Sequence, residues 1–418
     1  MNGRNSILTC PKSKHRPLKP QVLFILDHEL RRCVRLKNHV AELAHDNVDC
    51  HVVEFQYTGF QPIKLIKKDE VSIYTVFLPS FVHHFRTLSA ELPFFRWVVA
   101  RSLKAIKTQW NLKPAVVHCY NTFAWQGVSQ FARQIPRVHL TVDFAEDLPS
   151  IMREYDYVKR GIGKVLVSLK QWELLQADAV KNADTCLVVT EEAANDYVHR
   201  YGVNTSKFIP INNLPSKDLV EKARSTSKTE TESFSVLYFG DTSMRRGTDL
   251  LIRTAPNIKM MIPEYEVIII GHNNREQPRL HEMVEEYECG DYVRLLGFQP
   301  ESELPTYMAM ADIGASPLKR NPHHDTTHAN KLFQFMLGGL PLIVSDCTAQ
   351  ANLISDYELG VVFEADKDSS FIQAIQQVYL NEGLRATWGQ NAESYLSELS
   401  LQKAVSPYSR LIHMLQRQ

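Results

Sequence analysis

The sequence has no excess of either charge, no paired cysteines and no long apolar run, and each absence excludes a class of protein. The 47 lysine and arginine residues balance 47 aspartate and glutamate residues, so no overall positive field indicates a nucleic-acid partner. The seven cysteines are scattered without a CxxC pair. This spacing argues against disulfides and zinc and predicts reduced thiols in the cytoplasm. No apolar stretch approaches the ~20 residues that a membrane-spanning helix requires.

Two further features are missing near the N-terminus. Residues 1–20 include five basic side chains but no apolar signal-peptide core, so we interpret them as a flexible basic tail. The first predicted strand, which begins at Gln21, is not followed by a glycine-rich turn. A dinucleotide-binding turn is therefore not expected there. The polar residues Asp27, His28 and Glu29 follow this strand instead.

A strand–helix–strand pattern occurs in each half of the sequence and predicts two α/β domains. The chain has 418 residues, of which 44% are hydrophobic. This length and composition can bury a large core and favour two or three domains. The pattern begins at Gln21 and starts again with FSVLYF at Phe234. Residues 216–233 are polar with few aromatics, as expected of a linker.

Helical periodicity predicts long helices in both halves. Four of them cover Arg31–His45, Lys164–Ala183, Thr248–Lys259 and Leu401–Leu415. The first carries Arg31, Arg32 and Arg35, which either bring positive charge to a cleft or form a solvated helix face.

The segment Asn330–Ser345 predicts a helix, a tight turn and a buried strand. Its apolar residues follow helical spacing as far as Leu337, and Gly338 and Gly339 then end the helix because glycine enters the left-handed region at little cost. The apolar run Leu342–Val344 predicts a parallel strand. In an open α/β sheet, the N-terminus of such a helix faces the crevice beyond the strand ends, where its free N–H groups can bind phosphate.

This segment, NKLFQFMLGGLPLIVSD, resembles the NKLFEYMAAGLPVIASD segment of glycosyltransferase family 4 among the glycosyl transferases of group 1. The resemblance implies the α/β GT-B fold, in which two Rossmann-like domains face each other across a cleft. It also implies retaining transfer of a sugar from a nucleotide-diphosphate sugar. In that family, two glutamates with seven residues between them handle the donor sugar and the nucleotide ribose. Here Thr326 and Gln334 occupy those positions, so both acids are absent.

A loop in the second half resembles the family's diphosphate-binding signature. In GDTSMRRG, Arg246 stands at the position of the family's lysine, and Asp241 stands where an arginine is usual. The resemblance implies that Arg246, with Arg245 beside it, binds the diphosphate; the alternative is a solvated charge pair at a helix start. Lys331 either adds a cation or packs its stem along the helix with its head in water. The implied donor-binding residues are Gly240, Thr242, Arg245, Arg246, Gly271, Phe298, Thr326, Asn330, Lys331 and Gln334.

Two strand ends in the first half resemble the family's segments IHAH and YDAHE. His118 and Glu146 match these segments, whereas Tyr120 and Ala145 replace a histidine in each. The resemblance implies that His118 and Glu146 are the catalytic residues on the acceptor side of the cleft. The alternative for His118 is a hydrogen bond to a neighbouring loop.

The histidine-rich segment NPHHDTTH, residues 321–328, could suggest a metal site. Its proline and mixed spacing fix no ligand geometry, and the resemblance implies transfer without a metal. We therefore expect neither metal nor cofactor, with the nucleotide-diphosphate sugar as co-substrate. A loop that forms hydrogen bonds over the donor sugar is the preferred interpretation of this segment.

A segment from Phe81 to Trp110 mixes aromatic and basic residues. Such a helix either lies at the cytoplasmic face of a membrane, near a lipid-linked acceptor, or packs its aromatics in the core. The acceptor is accordingly expected to be a saccharide or a lipid-linked molecule.

Together these features predict the following boundaries: a tail at 1–20, an acceptor-side domain at 21–212, a linker at 213–233, a nucleotide-sugar domain at 234–395, and a final helix at 396–418 that crosses back to the first domain. The expected function is glycosyl transfer in the assembly of a cell-surface polysaccharide or glycoconjugate. Because both family acids are missing, two alternatives stay open: an inactive nucleotide-sugar-binding partner subunit and a sugar-nucleotide epimerase.

Overall fold

The computed structural model describes residues 19–85, 88, 93–154, 158, 163–271 and 276–417. These residues form two lobes, each built on a largely parallel β-sheet. Most of the predicted basic tail, part of the aromatic segment and the last residue lie outside the described residues. The two-domain α/β prediction is confirmed.

The N-terminal lobe contains an eight-stranded sheet in the order β3-β4-β2-β1-β5-β6-β7-β8. Its strands are β1 (Gln21–Ile25), β2 (Asp49–Gln56), β3 (Lys64–Lys68), β4 (Val71–Phe77), β5 (Val116–Tyr120), β6 (His139–Phe144), β7 (Thr185–Val188) and β8 (Phe208–Pro210). Only the edge strand β3 runs antiparallel to its neighbour. Along β1, Leu23 and Ile25 enter one apolar core while Val22 and Phe24 enter another on the opposite face. Both faces of the sheet are therefore covered.

The helices of this lobe are α1 (Val34–His45), α2 (Ser80–Phe85), α3 (Pro93–Gln109), α4 (Trp125–Ala132), α5 (Leu148–Met152), α6 (Gly163–Leu166), α7 (Leu169–Asn182) and α8 (Glu191–Tyr201). The prediction of one long helix over Lys164–Ala183 is wrong, because the helix is interrupted between α6 and α7. Ser168 starts α7 as its N-cap, and its hydroxyl accepts a hydrogen bond from the backbone N–H of Gln171.

The C-terminal lobe contains a parallel sheet in the order β11-β10-β9-β12-β13-β14. Its strands are β9 (Phe234–Phe239), β10 (Tyr265–Ile270), β11 (Val293–Leu296), β12 (Ile313–Ser316), β13 (Leu342–Ser345) and β14 (Gly360–Phe363). The alternating residues of β9 again enter two cores, with Val236 and Tyr238 on one face and Leu237 and Phe239 on the other.

The remaining helices are α9 (Lys217–Ser225), α10 (Thr248–Arg253), α11 (Ala255–Met261), α12 (Gln277–Glu286), α13 (Leu304–Ala309), α14 (Pro322–Asp325), α15 (Asn330–Leu337), α16 (Thr348–Asp356), α17 (Asp368–Leu380), α18 (Glu382–Glu398) and α19 (Leu401–Leu415). Two predictions are corrected here. The helix predicted over Thr248–Lys259 is divided at Thr254, just before Pro256. The polar linker is not irregular throughout, because α9 forms within it.

The final helix crosses back to the N-terminal lobe, as predicted. Tyr408 of α19 is fully buried in the core beneath β1 and β2. Its hydroxyl lies 2.9 Å from Nδ1 of His118 on β5. Ser409 donates a hydrogen bond to Asp46, which follows α1. The last helix therefore ties the two lobes together.

In each sheet, successive strands are first added on one side of a central strand and later on its other side. In the N-terminal lobe this change of side lies between β1 and β5, and in the C-terminal lobe between β9 and β12. Ligands of open α/β sheets bind beyond the carboxyl ends of the strands at such points.

Candidate active site

A cleft of about 520 Å³ lies between the two lobes. From the N-terminal lobe it is lined by residues after β1, β5 and β6, and from the C-terminal lobe by the loop after β9 and the start of α15. Its lining includes His28, Arg32, Tyr120, Asn121, Glu146, Gly240, Asp241, Arg246, His323, Asn330, Lys331 and Gln334. Six of the twelve predicted site residues therefore share one cavity: Glu146, Gly240, Arg246, Asn330, Lys331 and Gln334.

The loop after β9 is folded tightly enough to require glycine. Gly240 has a φ of +123° and Gly247 a φ of +75°. A Cβ atom on Gly247 would lie 1.7 Å from the carbonyl oxygen of Pro317, which follows β12. The loop is thus pressed against the end of the neighbouring strand, and this contact fixes the two arginines that precede Gly247.

Lys331 is a buried cation in the first turn of α15. Only 7% of its surface is exposed, and among the described residues its Nζ atom has no hydrogen-bond partner. The ammonium group lies over the Tyr238 ring, 3.5 Å from the ring centroid. Burial, together with nearby Arg246, holds the pKa of Lys331 well below its ordinary value. The predicted alternative, a lysine head in bulk water, does not describe this arrangement.

Arg246 and Arg245 add positive charge beside Lys331. Nε of Arg246 is buried without a hydrogen bond to the described residues, and Oδ2 of Asp241 is 3.8 Å away. Arg245 donates to the same oxygen at 3.1 Å. Burial, followed by the repulsion of Arg245, lowers the pKa of Arg246. Within the described part of the C-terminal wall, the Asp241 carboxylate thus faces three cations, which leaves excess positive charge on this wall for an anion.

The N-terminus of α15 opens into the same cavity. Ala329, Asn330 and Lys331 line it, and no side chain caps the helix start. The first N–H groups of an uncapped helix are free to bind an anion. Backbone donors and buried cations therefore converge on one region of the C-terminal wall.

Glu146 faces these cations from the N-terminal lobe. Its side chain stands open to the cleft, but the enclosing walls desolvate the carboxylate and raise its pKa, while Arg246 and Arg245 oppose this shift. A carboxylate with a raised pKa beside a reacting hydroxyl can accept a proton. This geometry agrees with the predicted position of Glu146.

His118 is not in the cleft, which corrects its predicted acceptor-side role. Its side chain is fully buried on β5. Its Nδ1 is paired with the hydroxyl of Tyr408, and its Nε2 lies 3.9 Å from Asp143. Burial lowers the pKa of His118 to about 4, so the ring is a neutral part of the core. The predicted alternative, a purely structural hydrogen bond, describes His118 better, although its partner lies on the last helix and not on a neighbouring loop.

Asp143 lies at the centre of a buried network beneath the cleft. Arg35 donates to both of its carboxylate oxygens, at 2.9 and 3.1 Å. The same guanidinium donates to the carbonyl of Ile211 at 2.5 Å and to Oδ1 of Asn213 at 2.9 Å. Arg35 is therefore neither a solvated residue nor a free cation in the cleft. It joins the sheet to the segment that leads into the second lobe.

The two positions without acids have different surroundings. Thr326 does not line the cleft; its hydroxyl donates to the carbonyl of Pro322 at 3.0 Å, and its own carbonyl accepts from Thr190 of the other lobe at 2.6 Å. Gln334 lines the cleft, and its amide donates to Glu301 at 3.2 Å. A carboxylate is thus present next to Gln334, supplied by the turn after β11.

The other predicted donor residues lie at the edge of the site. Thr242 is buried, and its hydroxyl is 3.2 Å from Oε1 of Gln277. The backbone of Gly271 passes so close to Gly240 that a Cβ would lie 1.8 Å from its carbonyl oxygen. Phe298 follows β11 and is 76% exposed. None of these three residues lines the 520 Å³ cleft.

The histidine-rich segment is held by hydrogen bonds. Nδ1 of His324 lies 2.6 Å from the carbonyl oxygen of Lys319. The two ring nitrogens of His328 each lie 3.1 Å from an oxygen, one on Asn212 and one on Ala349. Within the described part of the chain, no three histidine, cysteine or acidic side chains are grouped to hold a metal ion. The expectation that transfer needs no metal stays a prediction.

His28 is a cleft residue to which the sequence analysis assigned no role. Its Nδ1 is hydrogen-bonded to Asp27 at 2.9 Å, and Asp27 is buried. Burial alone would lower the pKa of His28, but Asp27 and Cys33 raise it to about 9. The sequence signal that could have identified this residue is a histidine shortly after the first strand, next to an aspartate.

A second cavity, of about 800 Å³, lies behind the cleft where the chain passes between the lobes. It is bordered by Leu214, where the chain passes from the N-terminal to the C-terminal lobe, and by Leu401, where the chain returns. Its charged residues have both signs, and Lys217 pairs with Glu42 at 2.6 Å. Among the described residues that line it, no buried lysine ammonium lacks a hydrogen-bond partner as that of Lys331 does, so the smaller cleft is the candidate active site.

Comparison with known proteins identifies the second lobe. Residues 220–395 match the family described as glycosyl transferases group 1. A D-inositol 3-phosphate glycosyltransferase from Corynebacterium jeikeium is 20% identical over 260 residues, which cover 58% of this chain and 60% of that protein. The chain thus matches less than two thirds of the length of this curated relative.

Solved structures resemble the whole molecule. Sucrose-phosphate synthase from Thermosynechococcus elongatus superposes with a TM-score of 0.72 at 15% identity, covering 95% of this chain and 99% of that one. Anabaena HepE in complex with UDP-glucose gives a TM-score of 0.65 at 15% identity, covering 94% and 99%. At such identities the likeness shows the fold. The chain therefore has the GT-B fold, and its residues 220–395 are similar to the glycosyl transferases group 1 family.

Proposed function

We propose that this protein transfers a sugar from a nucleotide-diphosphate sugar to an acceptor hydroxyl. The observation that carries the proposal is the ammonium of Lys331, which has no hydrogen-bond partner among the described residues and is buried beside Arg245 and Arg246 at a helix N-terminus. An isolated buried cation is costly. A diphosphate supplies the missing charge and the hydrogen-bond acceptors for both the side chains and the backbone N–H groups.

In the proposed reaction, the bond between the anomeric carbon and the diphosphate oxygen breaks, and a bond from that carbon to the acceptor oxygen forms on the same face. Arg246 and Lys331 stabilise the charge that develops on the departing diphosphate. The acceptor enters along the N-terminal wall, and its hydroxyl proton passes to Glu146 or to the departing phosphate. Retention of configuration rests on the family resemblance, as does the setting of cell-surface polysaccharide or glycoconjugate assembly.

One observation favours a second candidate function. Thr326 stands where the family has the glutamate that handles the donor sugar, and its side chain donates to a local carbonyl outside the cleft lining. A partner subunit that binds a nucleotide sugar without using it would tolerate that loss. Gln334, by contrast, keeps the donor and acceptor groups needed to bind a ribose, which favours an active enzyme.

The test is a panel of nucleotide sugars, measured by calorimetry for binding and by mass detection for released nucleoside diphosphate and altered sugar. Arg246→Ala is expected to lower transition-state stabilisation by about 2 to 4 kcal/mol. Arg279→Ala is the matched control, because Arg279 is an exposed arginine on α12 that pairs with Glu282 and Glu286. Unchanged turnover in the Arg246 variant would rule out its role at the diphosphate.

The panel separates the three functions. Released diphosphate together with a glycosylated acceptor supports transfer. Binding without turnover supports the partner subunit, and an altered donor sugar without any acceptor supports an epimerase. If no nucleotide sugar binds, all three proposals fail.

We also propose peripheral contact with the cytoplasmic face of a membrane, through α3. Phe95 of this helix is buried, but Phe94 and Trp97 are 50% and 56% exposed. Arg101 lies over the Trp97 ring, with its guanidinium carbon 5.2 Å from the ring centroid. Exposed aromatics next to basic residues suit the interface of an anionic bilayer, which would bring the cleft near a lipid-linked acceptor.

Co-sedimentation with anionic and neutral vesicles tests this contact. The double variant Phe94→Ser, Trp97→Ser is expected to lose binding to anionic vesicles. Leu380→Ser is the control, because Leu380 is 68% exposed on α17 of the other lobe. Absence of wild-type binding would contradict the proposal. No helix among the described residues is both long and apolar enough to span a bilayer.

The cytoplasm is the proposed location. The six cysteines that the structure describes are all buried thiols without a disulfide. Burial raises the pKa of several of them, including Cys50 to about 12, so they are protonated at neutral pH. Such thiols are typical of a reducing compartment.

A further inference from the structure

His28 is held in one orientation at the N-terminal wall of the cleft. Its Nδ1 is hydrogen-bonded to Asp27 at 2.9 Å, and Asp27 is 2% exposed. The turn itself is fixed from two sides: Tyr57 donates to the carbonyl of Asp27 at 2.8 Å, and Glu54 accepts from the N–H of Leu30 at 2.9 Å. A side chain oriented in this way is prepared for contact with a ligand.

The side chain of His28 is 30% exposed where it lines the cleft, and the Cys33 side chain is a second hydrogen-bonding neighbour of the ring. Because Nδ1 faces the carboxylate, it carries a hydrogen, and in the protonated ring Nε2–H is a second donor. The ring meets Tyr120 edge-on, with 6.0 Å between the ring centroids. The charged and titratable groups around it are Asp27, Cys33, Tyr120 and Glu146, with Arg32 also lining the cleft.

The walls of the cleft differ in chemistry. The C-terminal wall carries Arg245, Arg246 and Lys331 with a single carboxylate. The N-terminal wall pairs its charges, since Asp27 faces His28 and Glu29 faces Arg32. We therefore expect a dianion to bind the C-terminal wall, with the sugar that it carries projecting toward His28, Tyr120 and Glu146.

We propose that His28 binds the sugar of the nucleotide-diphosphate sugar, as a hydrogen-bond donor fixed by Asp27. Sugar hydroxyls both donate and accept hydrogen bonds, and the imidazole of His28 and the carboxylate of Glu146 offer one partner of each kind. This inference rests on the proposed function and adds to it a residue that distinguishes the sugar from the nucleotide. The N-terminal lobe thereby recognises the sugar that is transferred.

The test compares two ligands that differ only in the sugar. Calorimetry is performed with UDP-glucose and UDP first, and then with the nucleotide sugar that the donor panel selects and its own nucleoside diphosphate. His28→Gln is expected to weaken binding of the nucleotide sugar about ten- to a hundredfold and that of the nucleoside diphosphate less than about twofold. Glutamine keeps an amide that can still donate to Asp27.

Lys331→Met serves as the reference variant, because it removes a cation that is expected to contact the diphosphate in both ligands. If Lys331→Met weakens both ligands while His28→Gln weakens neither, or weakens both equally, the role of His28 is overturned and the proposed function stands. If no ligand binds wild-type protein, the proposed function fails, and the inference fails with it.

Folding of the variants is checked separately. Thermal unfolding of His28→Gln is compared with that of wild type, and a second variant, His28→Asn, places an amide nearer the backbone, where it cannot reach as far into the cleft. If both variants are folded, a selective loss of sugar-dependent affinity in both supports the proposal. Full affinity of either variant for the nucleotide sugar contradicts it.

Discussion

The ammonium nitrogen of Lys331 lies 3.5 Å from the centroid of the Tyr238 ring, and within the described residues nothing accepts a hydrogen bond from it. A cation–π contact compensates only part of the loss of hydration of a buried ammonium. The empty cleft therefore holds this group at a cost in stability. Such a cost at a buried cation is expected where binding of an anion recovers it.

Replacing Lys331 by methionine should stabilise the empty protein and weaken diphosphate binding. Methionine has similar length and packs against the Tyr238 ring without a charge to desolvate. We expect the melting temperature to rise by a few degrees, as about 1 kcal/mol would produce, and the affinity for UDP to fall at least tenfold. Differential scanning fluorimetry and calorimetry measure the two effects.

Lys259→Met is the matched control for this prediction. Lys259 also lies over an aromatic ring, 5.0 Å from the centroid of Tyr292, but its ammonium donates to the carbonyl of Tyr265 at 3.1 Å and is outside the cleft lining. This change should leave UDP binding unaltered. A Lys331→Met protein with lower stability and full affinity would contradict the prediction on both counts.

Binding of a diphosphate should draw protons from solution. In the empty cleft, burial and the nearby Arg246 hold the pKa of Lys331 well below its ordinary value, which disfavours the charged form. A bound dianion favours the charged form and raises this pKa. Calorimetry in buffers of different ionisation enthalpy should therefore detect proton uptake in wild type, and less in Lys331→Met. Equal uptake in both proteins would locate the titrating group elsewhere.

Gly247→Ala should disturb the loop that carries the two arginines. Its φ of +75° already disfavours alanine, and the added Cβ would lie 1.7 Å from the carbonyl oxygen of Pro317. We expect a loss of about 2 to 4 kcal/mol in unfolding free energy, together with weaker diphosphate binding. Denaturant titration and calorimetry measure the two.

Gly202→Ala separates the backbone effect from the steric one. Gly202 ends α8 with a φ of +63°, but a Cβ there would have nothing within 4 Å. This variant should lose only about 1 kcal/mol and keep full ligand affinity. Equal losses for the two variants would show that the contact with Pro317 is unimportant.

Arg35→Met should be strongly destabilising. It would leave Asp143 buried without the guanidinium that donates to both of its oxygens. Breaking a buried ion pair by removing one partner costs about 3 to 5 kcal/mol. Arg31→Met is the control, because Arg31 is exposed and pairs with Glu29 at the surface, where the expected cost is less than about 1 kcal/mol. Urea titrations of the two variants give the comparison.

The affinity for the nucleotide sugar should fall as the pH rises through about 9. Asp27 and Cys33 overcome the effect of burial and raise the pKa of His28 to about 9. The ring is therefore charged and donates from both nitrogens below that pH, and loses one donor above it. The proposed sugar contact weakens in the same range. Because Lys331 affects the nucleoside diphosphate and the nucleotide sugar alike, the ratio of the two affinities should change through about pH 9 in wild type and stay constant in His28→Gln. A wild-type ratio that is constant from pH 7 to about 10 would contradict this assignment.

Local patterns in the sequence were sufficient for much of the fold. The strand β9 and the helix α19 have the predicted boundaries, because their apolar periodicity is uninterrupted. Two helices that were predicted as continuous are interrupted, one at Ser168 and the other at Thr254. At these places a hydroxyl cap or a nearby proline competes with helix propensity, and periodicity alone does not weigh that competition.

The candidate site was only partly accessible to sequence reasoning. Arg246 and Lys331 were identified through motif resemblance, and the structure places both in the cleft. His118 matched a motif equally well but points into the core against Tyr408, a residue 290 positions away. His28 belongs to no recognised motif, because its proposed role depends on the carboxylate of Asp27 and on the C-terminal lobe across the cleft.

The sequence by itself determined the alternating α/β halves, the glycine-dependent turns and the pair of arginines in the loop after β9, since each depends on residues close together in the chain. Only the tertiary structure decided which of these groups share a cavity and which are buried. Packing of distant strand ends places Glu146 opposite Arg246 and leaves the Lys331 ammonium with no hydrogen-bond acceptor in the described part of the chain. Those relations arise from loss of solvent and from contacts across the lobes, which no local pattern encodes.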